Sequence, residues 1–136
     1  MSGVYESERY LREYLLFHFG SAEEILPWPG GPAAALDFPV RTVGHFSEER
    51  VKRALDVGCA VGRSTFEMSR SADEVIGIDF SKAFVATAEK VRKGERVRYE
   101  RLEEAGDVTS LEVRIPEGLS PERVGFEVGD EVEVKI

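Results

Sequence analysis

An α/β domain with a parallel sheet is the fold class this sequence predicts, and three observations predict it. The first is a short apolar run, Ala54-Leu55-Asp56-Val57, which stops at Gly58 and is followed by a helical stretch from Gly62 to about Ser71. The second is another apolar run, Val75-Ile76-Gly77-Ile78, which ends at Asp79 and leads into a helix capped by Ser81. Strand, helix, strand, helix at this spacing is the βαβ arrangement, which needs parallel strands. The third is size: 136 residues, 42% of them apolar, suit a single domain. Such a chain buries roughly two thirds of its surface on folding.

Each element follows from local pattern. From about Glu6 to Phe19, Tyr10, Leu11, Tyr14, Leu15 and His18 recur at three- and four-residue spacing, the period of a helix, and Gly20 can end it. Ser21-Ala-Glu-Glu24 is a capping-box pattern that opens a short helical turn. Leu26-Pro-Trp-Pro-Gly-Gly-Pro32 is excluded from helix and central strand by its three prolines, and reads as a loop pinned by Trp28. Ser47 reads as the cap of a short helix from Glu48 to about Lys52. The first sheet strand then reads as a buried one. In the helix after Ser81, Phe84, Ala88 and Val91 share a face and Gly94 supplies the stop. Beyond Gly94 the period becomes two: Val97/Tyr99, Leu111/Val113/Ile115, Val124/Phe126/Val128 and Val132/Val134/Ile136 alternate with polar residues. Gly129-Asp130 suits a two-residue hairpin turn. This last third is either antiparallel throughout or an insertion followed by one further strand of the main sheet.

Composition removes several functions. Eighteen basic against 26 acidic side chains give a formal charge of −8, the wrong sign for a protein that grips a nucleic-acid backbone. The excess is local: residues 95–136 hold 6 bases and 12 acids, residues 1–94 hold 12 and 14, so the acidity reads as a solvated surface at the tail end. No apolar run approaches the roughly 20 residues that span a bilayer, and MSGVYESERY lacks the pattern of a secretory signal. One cysteine, Cys59, fits a reducing cytoplasm, and two histidines, His18 and His45, make a multi-histidine metal site improbable. No metal is expected.

The chemistry concentrates in Asp56-Val-Gly58-Cys-Ala-Val-Gly62 and Asp79. At a strand-to-helix crossing, glycines let backbone approach a ligand where a side chain would collide. A carboxylate ending the neighbouring strand can accept hydrogen bonds from both hydroxyls of a ribose. Dinucleotide sites use Gly-x-Gly-x-x-Gly so that a pyrophosphate meets the helix N-terminus. Gly58-x-x-x-Gly62 preceded by Asp56 instead suits a nucleoside with a zwitterionic amino-acid tail, whose ammonium Asp56 can face. The ligand of that shape is S-adenosylmethionine. The alternative is that two glycines merely close a tight turn.

ALDVGCAVGRSTFEMSR and EVIGIDFSKAF resemble the first two motifs of class I, Rossmann-like methyltransferases. YESERYLREYLLFHFG, LPWPGGPAAALDFPVR and GCAVGRSTFE together resemble the 4-mercaptohistidine methyltransferases of ovothiol biosynthesis, over roughly residues 5 to 130. RVRYERLEEAGDVTSLEVRIPEGLSPERVGFEVGD resembles that family's insertion before its next sheet strand. The resemblance implies a Rossmann-like cofactor-binding core over 53–136 with an insertion at about 95–123, preceded over 1–52 by a helix and Pro/Trp loop acting as lid or substrate segment, all in one domain. It implies methyl transfer to an imidazole nitrogen of a histidine derivative, in the cytoplasm, with an iron-dependent sulfoxide synthase as fused or separate partner. Asp56, Gly58, Cys59, Ala60 and Gly62 would line the methionine end of the cofactor, Asp79 would hold the ribose, Phe80 would pack beside the adenine, and Asp130 would lie near its amino group.

Tyr10, Tyr14, His18 and Trp28 are substrate candidates on that reading, while helix aromatics are more often core. Arg41 and Arg63 read as solvated charges or partners for a substrate carboxylate. Cys59 reads as a small residue at a close backbone approach, not a nucleophile. A class I methyltransferase normally has a seven-stranded sheet; three strands here leave it unfinished, and the ending Glu131-Val-Glu-Val-Lys-Ile136 looks like a hairpin arm. An unfinished parallel sheet has an open edge, a template for a homodimer. Three functions follow: a methyltransferase of the mercaptohistidine type, a non-catalytic module binding S-adenosylmethionine or its demethylated product, and a dinucleotide enzyme, against which the glycine spacing argues.

Overall fold

The computed structural model describes residues 8–25, 43, 50–102 and 106–129. Helix α1 spans Glu8–Phe19 and α2 spans Ala22–Ile25. The capping box forms as its sequence implies: the Ser21 N–H donates to Glu24 Oε1 at 2.8 Å, and the Glu24 N–H donates back to Ser21 Oγ at 3.2 Å. Strand β1 (Val51–Val57), helix α3 (Arg63–Met68), strand β2 (Ala72–Asp79) and helix α4 (Lys82–Arg92) make the βαβα unit. Strands β3 (Arg98–Leu102), β4 (Val108–Glu112) and β5 (Val124–Val128) follow, β5 entered through a 3-10 turn at Pro121–Arg123.

The last third resolves into the second of its two sequence readings. Strands β3 and β4 pair antiparallel as a separate hairpin, Arg98 opposite Glu112 and Leu102 opposite Val108. Strand β5 returns to the main sheet and pairs parallel with β2, which pairs parallel with β1, in the order β1-β2-β5. This is a partial Rossmann-like α/β sheet.

Register puts Asp56, Gly77 and Phe126 in one row across the sheet, on the face that α3 and α4 cover. Phe66 of α3 meets the Phe126 ring edge-on at 5.5 Å, and Phe19 of α1 lies 6.3 Å from Phe66. Phe66 and Phe84 are fully enclosed, each a burial that favours the fold by about 2–3 kcal/mol. Ser81 Oγ accepts from the Phe84 N–H, and α4 ends as its sequence predicts: Gly94 takes φ +80, with Gly94 N–H to Val91 O and Glu95 N–H to Lys90 O. That pair is the Schellman arrangement, which uses the carbonyls a helix end would leave orphaned.

Four expectations are corrected. The helix expected to run to Lys52 does not include Val51 or Lys52, because the Val51 N–H donates to Ser71 O and β1 has begun. Pairing with β2 uses those backbone groups, and strand wins over a weak helix signal. Strand β1 is not buried: Val51, Leu55 and Val57 are exposed, because among the described residues β1 lies at the edge of its sheet and no helix covers that face. Helix α3 ends at Met68 rather than near Ser71, where Ser69 Oγ turns back onto Phe66 O. Strand β4 stops at Glu112, short of Val113 and Ile115, although the Val113 N–H still donates to Val97 O. The Trp28 loop, Arg41, His45, the Ser47 cap, Asp130 and the arm over 131–136 lie outside the described residues. Among the described residues no helix is long and apolar enough to cross a membrane.

Candidate functional site

The carboxyl ends of β1, β2 and β5 lie side by side, where open α/β sheets hold their ligands. The loop after β1 is shaped by backbone. The N–H groups of Gly58 and Cys59 both donate to Ile78 O of β2, at 2.7 and 3.0 Å, and the Gly62 N–H closes a turn onto Cys59 O at 2.9 Å. Three residues take left-handed φ: Gly58 at +76°, Ala60 at +49° and Gly62 at +95°. Alanine avoids that region, so Ala60 needs a hold. Asp79 supplies it, Oδ2 accepting the Ala60 N–H at 2.9 Å while Oδ1 accepts the Ser81 N–H at 2.9 Å. One buried carboxylate thus ties the glycine loop to the start of α4.

Asp56 sits two residues before the loop with a second task. Its Oδ2 accepts from Ser64 Oγ at 2.6 Å and Thr65 Oγ1 at 2.7 Å, both in the first turn of α3. A carboxylate at a helix N-terminus is favoured by the helix dipole. Sequence reasoning did not pick out these two hydroxyls; their signal was a Ser-Thr pair two and three residues after the loop's last glycine. Oδ1 remains for another donor.

The two glycines differ. A Cβ on Gly58 would meet no described residue within 4 Å, so among the described residues the loop opens there onto free space. A Cβ on Gly62 would lie 2.6 Å from Phe126 Cζ, so its bareness accommodates the core. Around the open side stand three exposed apolar side chains at the strand ends, Val57, Phe80 (43% exposed) and Val128. Val128 is an addition to the sequence-derived set; its place opposite Asp79 comes from the β2–β5 register. The Gly129 N–H donates to Asp79 O and holds the end of β5 beside that carboxylate.

Cys59 is buried, and its thiol is pushed far above the ordinary range, first by burial and then by Asp56 and Asp79. It stays protonated and is no nucleophile. His18, in the last turn of α1, has its pKa lowered to about 4 by burial and then by the Arg63 charge, and among the described residues its Nδ1 has no hydrogen-bond partner. Tyr10 and Tyr14 lean on the core, Tyr14 with its ring 4.8 Å from Phe84. Arg63 is not a solvated charge: it pairs with Glu67 one turn later at 3.1 Å, and the nearly buried Glu67 also takes Arg70 at 2.8 Å. Two clefts lie away from the strand ends. One of about 400 Å³ separates α1 from the β3–β4 hairpin, and one of about 520 Å³ runs along β2 and β5.

Residues 54–116 match a family model described as a methyltransferase domain. A search of curated proteins returns no match. Among solved structures the chain is similar to phosphoethanolamine N-methyltransferase 1 of Haemonchus contortus, determined with phosphoethanolamine and S-adenosylhomocysteine, at 13% identity and a TM-score of 0.48. The similarity covers 96% of this chain and 24% of that enzyme, so the chain spans about a quarter of its length.

Proposed function

We propose that this chain is the S-adenosylmethionine-binding part of a class I methyltransferase. The observation that carries this reading is the arrangement at the strand ends: a glycine loop open at Gly58, an acid at the end of the next strand, and an exposed aromatic directly after it. The methyltransferase-domain match across the same βαβα unit supports it.

The residues present fit that cofactor. Gly58 leaves room for the ligand to lie against backbone, and Asp56 Oδ1 is available to an ammonium. Each Asp79 oxygen already accepts one N–H and has lone pairs left for a ribose hydroxyl. Phe80 and Val128 offer apolar surface to the adenine. When bound, S-adenosylmethionine supplies a methyl group on a positively charged sulfur, open to in-line attack. What the chain contributes is orientation and a site with fixed dipoles. The thiol of Cys59, held protonated, does not compete for the methyl group.

The acceptor we propose is an imidazole nitrogen of a histidine derivative such as 4-mercaptohistidine, on the resemblance of YESERYLREYLLFHFG and LPWPGGPAAALDFPVR to that family. A ring nitrogen attacks with its own lone pair, so a strong general base is unnecessary. His18 suits the substrate side, because a neutral imidazole with an unpartnered Nδ1 can exchange one hydrogen bond with the acceptor ring. Calorimetric titration with S-adenosylhomocysteine tests the cofactor, with NAD as control. Saturable one-to-one binding of the first alone is expected, and silence from a folded protein refutes the reading. Methylation of mercaptohistidine, followed by mass, tests the acceptor separately.

A further inference from the structure

We infer that Ser64 and Thr65 are positioning residues, which hold the Asp56 carboxylate so that its second oxygen meets a ligand's ammonium. The site then selects an adenosine that carries an amino-acid tail over one that does not. This inference rests on the cofactor reading and adds what sets recognition of the tail. Asp56 Oδ2 takes Ser64 Oγ at 2.6 Å and Thr65 Oγ1 at 2.7 Å. Both lengths are those of hydroxyls donating to an ionised carboxylate. A hydroxyl has one proton, so each side chain spends its only donor on the same oxygen. A carboxylate is planar; pinning one oxygen from two residues fixes the plane and turns Oδ1 away from α3.

Helix capping does not account for the pair. Gly62 caps α3 without a side-chain hydrogen bond, and Asp56 takes hydroxyls rather than backbone N–H groups. Thr65 is fully buried and reaches the sheet over Gly77, the residue beside Asp56 in the β1–β2 register. A Cβ at Gly77 would stand 2.9 Å from Thr65 Oγ1, so bare backbone there gives the hydroxyl its place. The two acids of the site are therefore fixed differently. Asp79 is held by two backbone N–H groups, and Asp56 by two side chains that substitution can remove. An open oxygen on a half-buried, ionised carboxylate favours a cationic donor, because charge on both sides strengthens the hydrogen bond.

Titration of this chain with S-adenosylhomocysteine and with methylthioadenosine tests this, since the second keeps the nucleoside and its sulfur but lacks the amino-acid tail. Wild type should prefer the first. Ser64→Ala combined with Thr65→Val removes both hydroxyls at nearly constant volume. It should weaken S-adenosylhomocysteine about tenfold and leave methylthioadenosine where it was. Thr65→Ser keeps the hydroxyl and should keep the preference. Ser64→Ala alone, at a half-buried position, should show part of the loss and keeps the test decisive if the double variant fails to fold. Equal weakening of both ligands, or of neither, overturns the proposal and leaves the hydroxyls as struts between α3 and β1. A wild type that binds both ligands alike also overturns it, because Asp56 then reads no ammonium, while the cofactor reading stands. A wild type that binds neither refutes the cofactor reading itself, and this inference with it.

Discussion

The two glycines of the loop after β1 occupy equivalent places in the Gly58-x-x-x-Gly62 pattern and serve different ends. Both have left-handed backbone, at φ +76° and +95°. Among the described residues Gly58 faces open space, and Gly62 faces the Phe126 ring, itself fixed by Phe66 on one side and the bare backbone of Gly77 on another. One half of the loop leaves the space that the proposed cofactor would use, and the other packs against the core. A single glycine motif can therefore divide its residues between ligand space and packing, and substitutions can separate the two.

Gly62→Ala should show the largest effect. The added methyl lies 2.6 Å from Phe126 Cζ in a conformation that disfavours any side chain, and the ring cannot retreat, since a Cβ at Gly77 would already be 2.8 Å from it. Overpacking and backbone strain together cost about 4 kcal/mol. Urea unfolding should register that loss, and a midpoint within error of wild type would mean the packed end is looser than it looks.

Asp79→Ala probes the join between the halves. It orphans the buried N–H groups of Ala60 and Ser81 and frees a non-glycine left-handed residue, at about 3 kcal/mol. Affinity for S-adenosylhomocysteine should fall as well, both from loss of the proposed ribose contact and from a relaxed loop. Full affinity in a variant so destabilised would remove Asp79 from the ligand side and leave it a purely structural clamp.

The packed end also carries a pH dependence. His18, set against Arg63 directly after Gly62, titrates at about 4 in the fold and near 6.5 when unfolded. Between those values the unfolded chain binds the extra proton, so stability present above pH 6.5 is lost as pH falls toward 4, by about 2 kcal/mol for this partly exposed ring. Across that range the wild-type unfolding midpoint should fall relative to that of His18→Phe as pH drops. Parallel curves would place the acid sensitivity in the carboxylates.

What could be read in the sequence was local. Strand, glycine loop, helix and the acid at the end of β2 lie within about forty residues, and Ser81, Gly94 and Ser21-Glu24 are caps whose partners sit three or four positions away. The pairing of Gly62 with Phe126 was out of reach, because it depends on β5 returning to the sheet after the β3–β4 hairpin. The exposure of β1 was hidden for a similar reason: Leu55 and Val57 look the same in a central strand and at an edge. The Ser64 and Thr65 hydroxyls on Asp56 were within reach, one turn beyond the loop, but small hydroxyls at a helix start have many uses and no unique spacing.

The smallest stability effect belongs to the substitution that bears most on function. In Gly58→Ala the new methyl group meets no described residue within 4 Å, and the left-handed backbone opposes it, at about 1 kcal/mol. Its two N–H anchors, on Gly58 and Cys59, are untouched, so the loop should keep its course. If the open space is where the methionine end of the cofactor lies, that same methyl group displaces it, and affinity for S-adenosylhomocysteine should fall at least tenfold while the unfolding midpoint barely moves. The contrast with Gly62→Ala is then complete: one methyl group removes binding with little loss of fold, and the other removes fold before binding can be measured. Normal affinity in folded Gly58→Ala would mean that the ligand, if it binds, does not use the space the glycine leaves, and that both glycines serve the backbone alone.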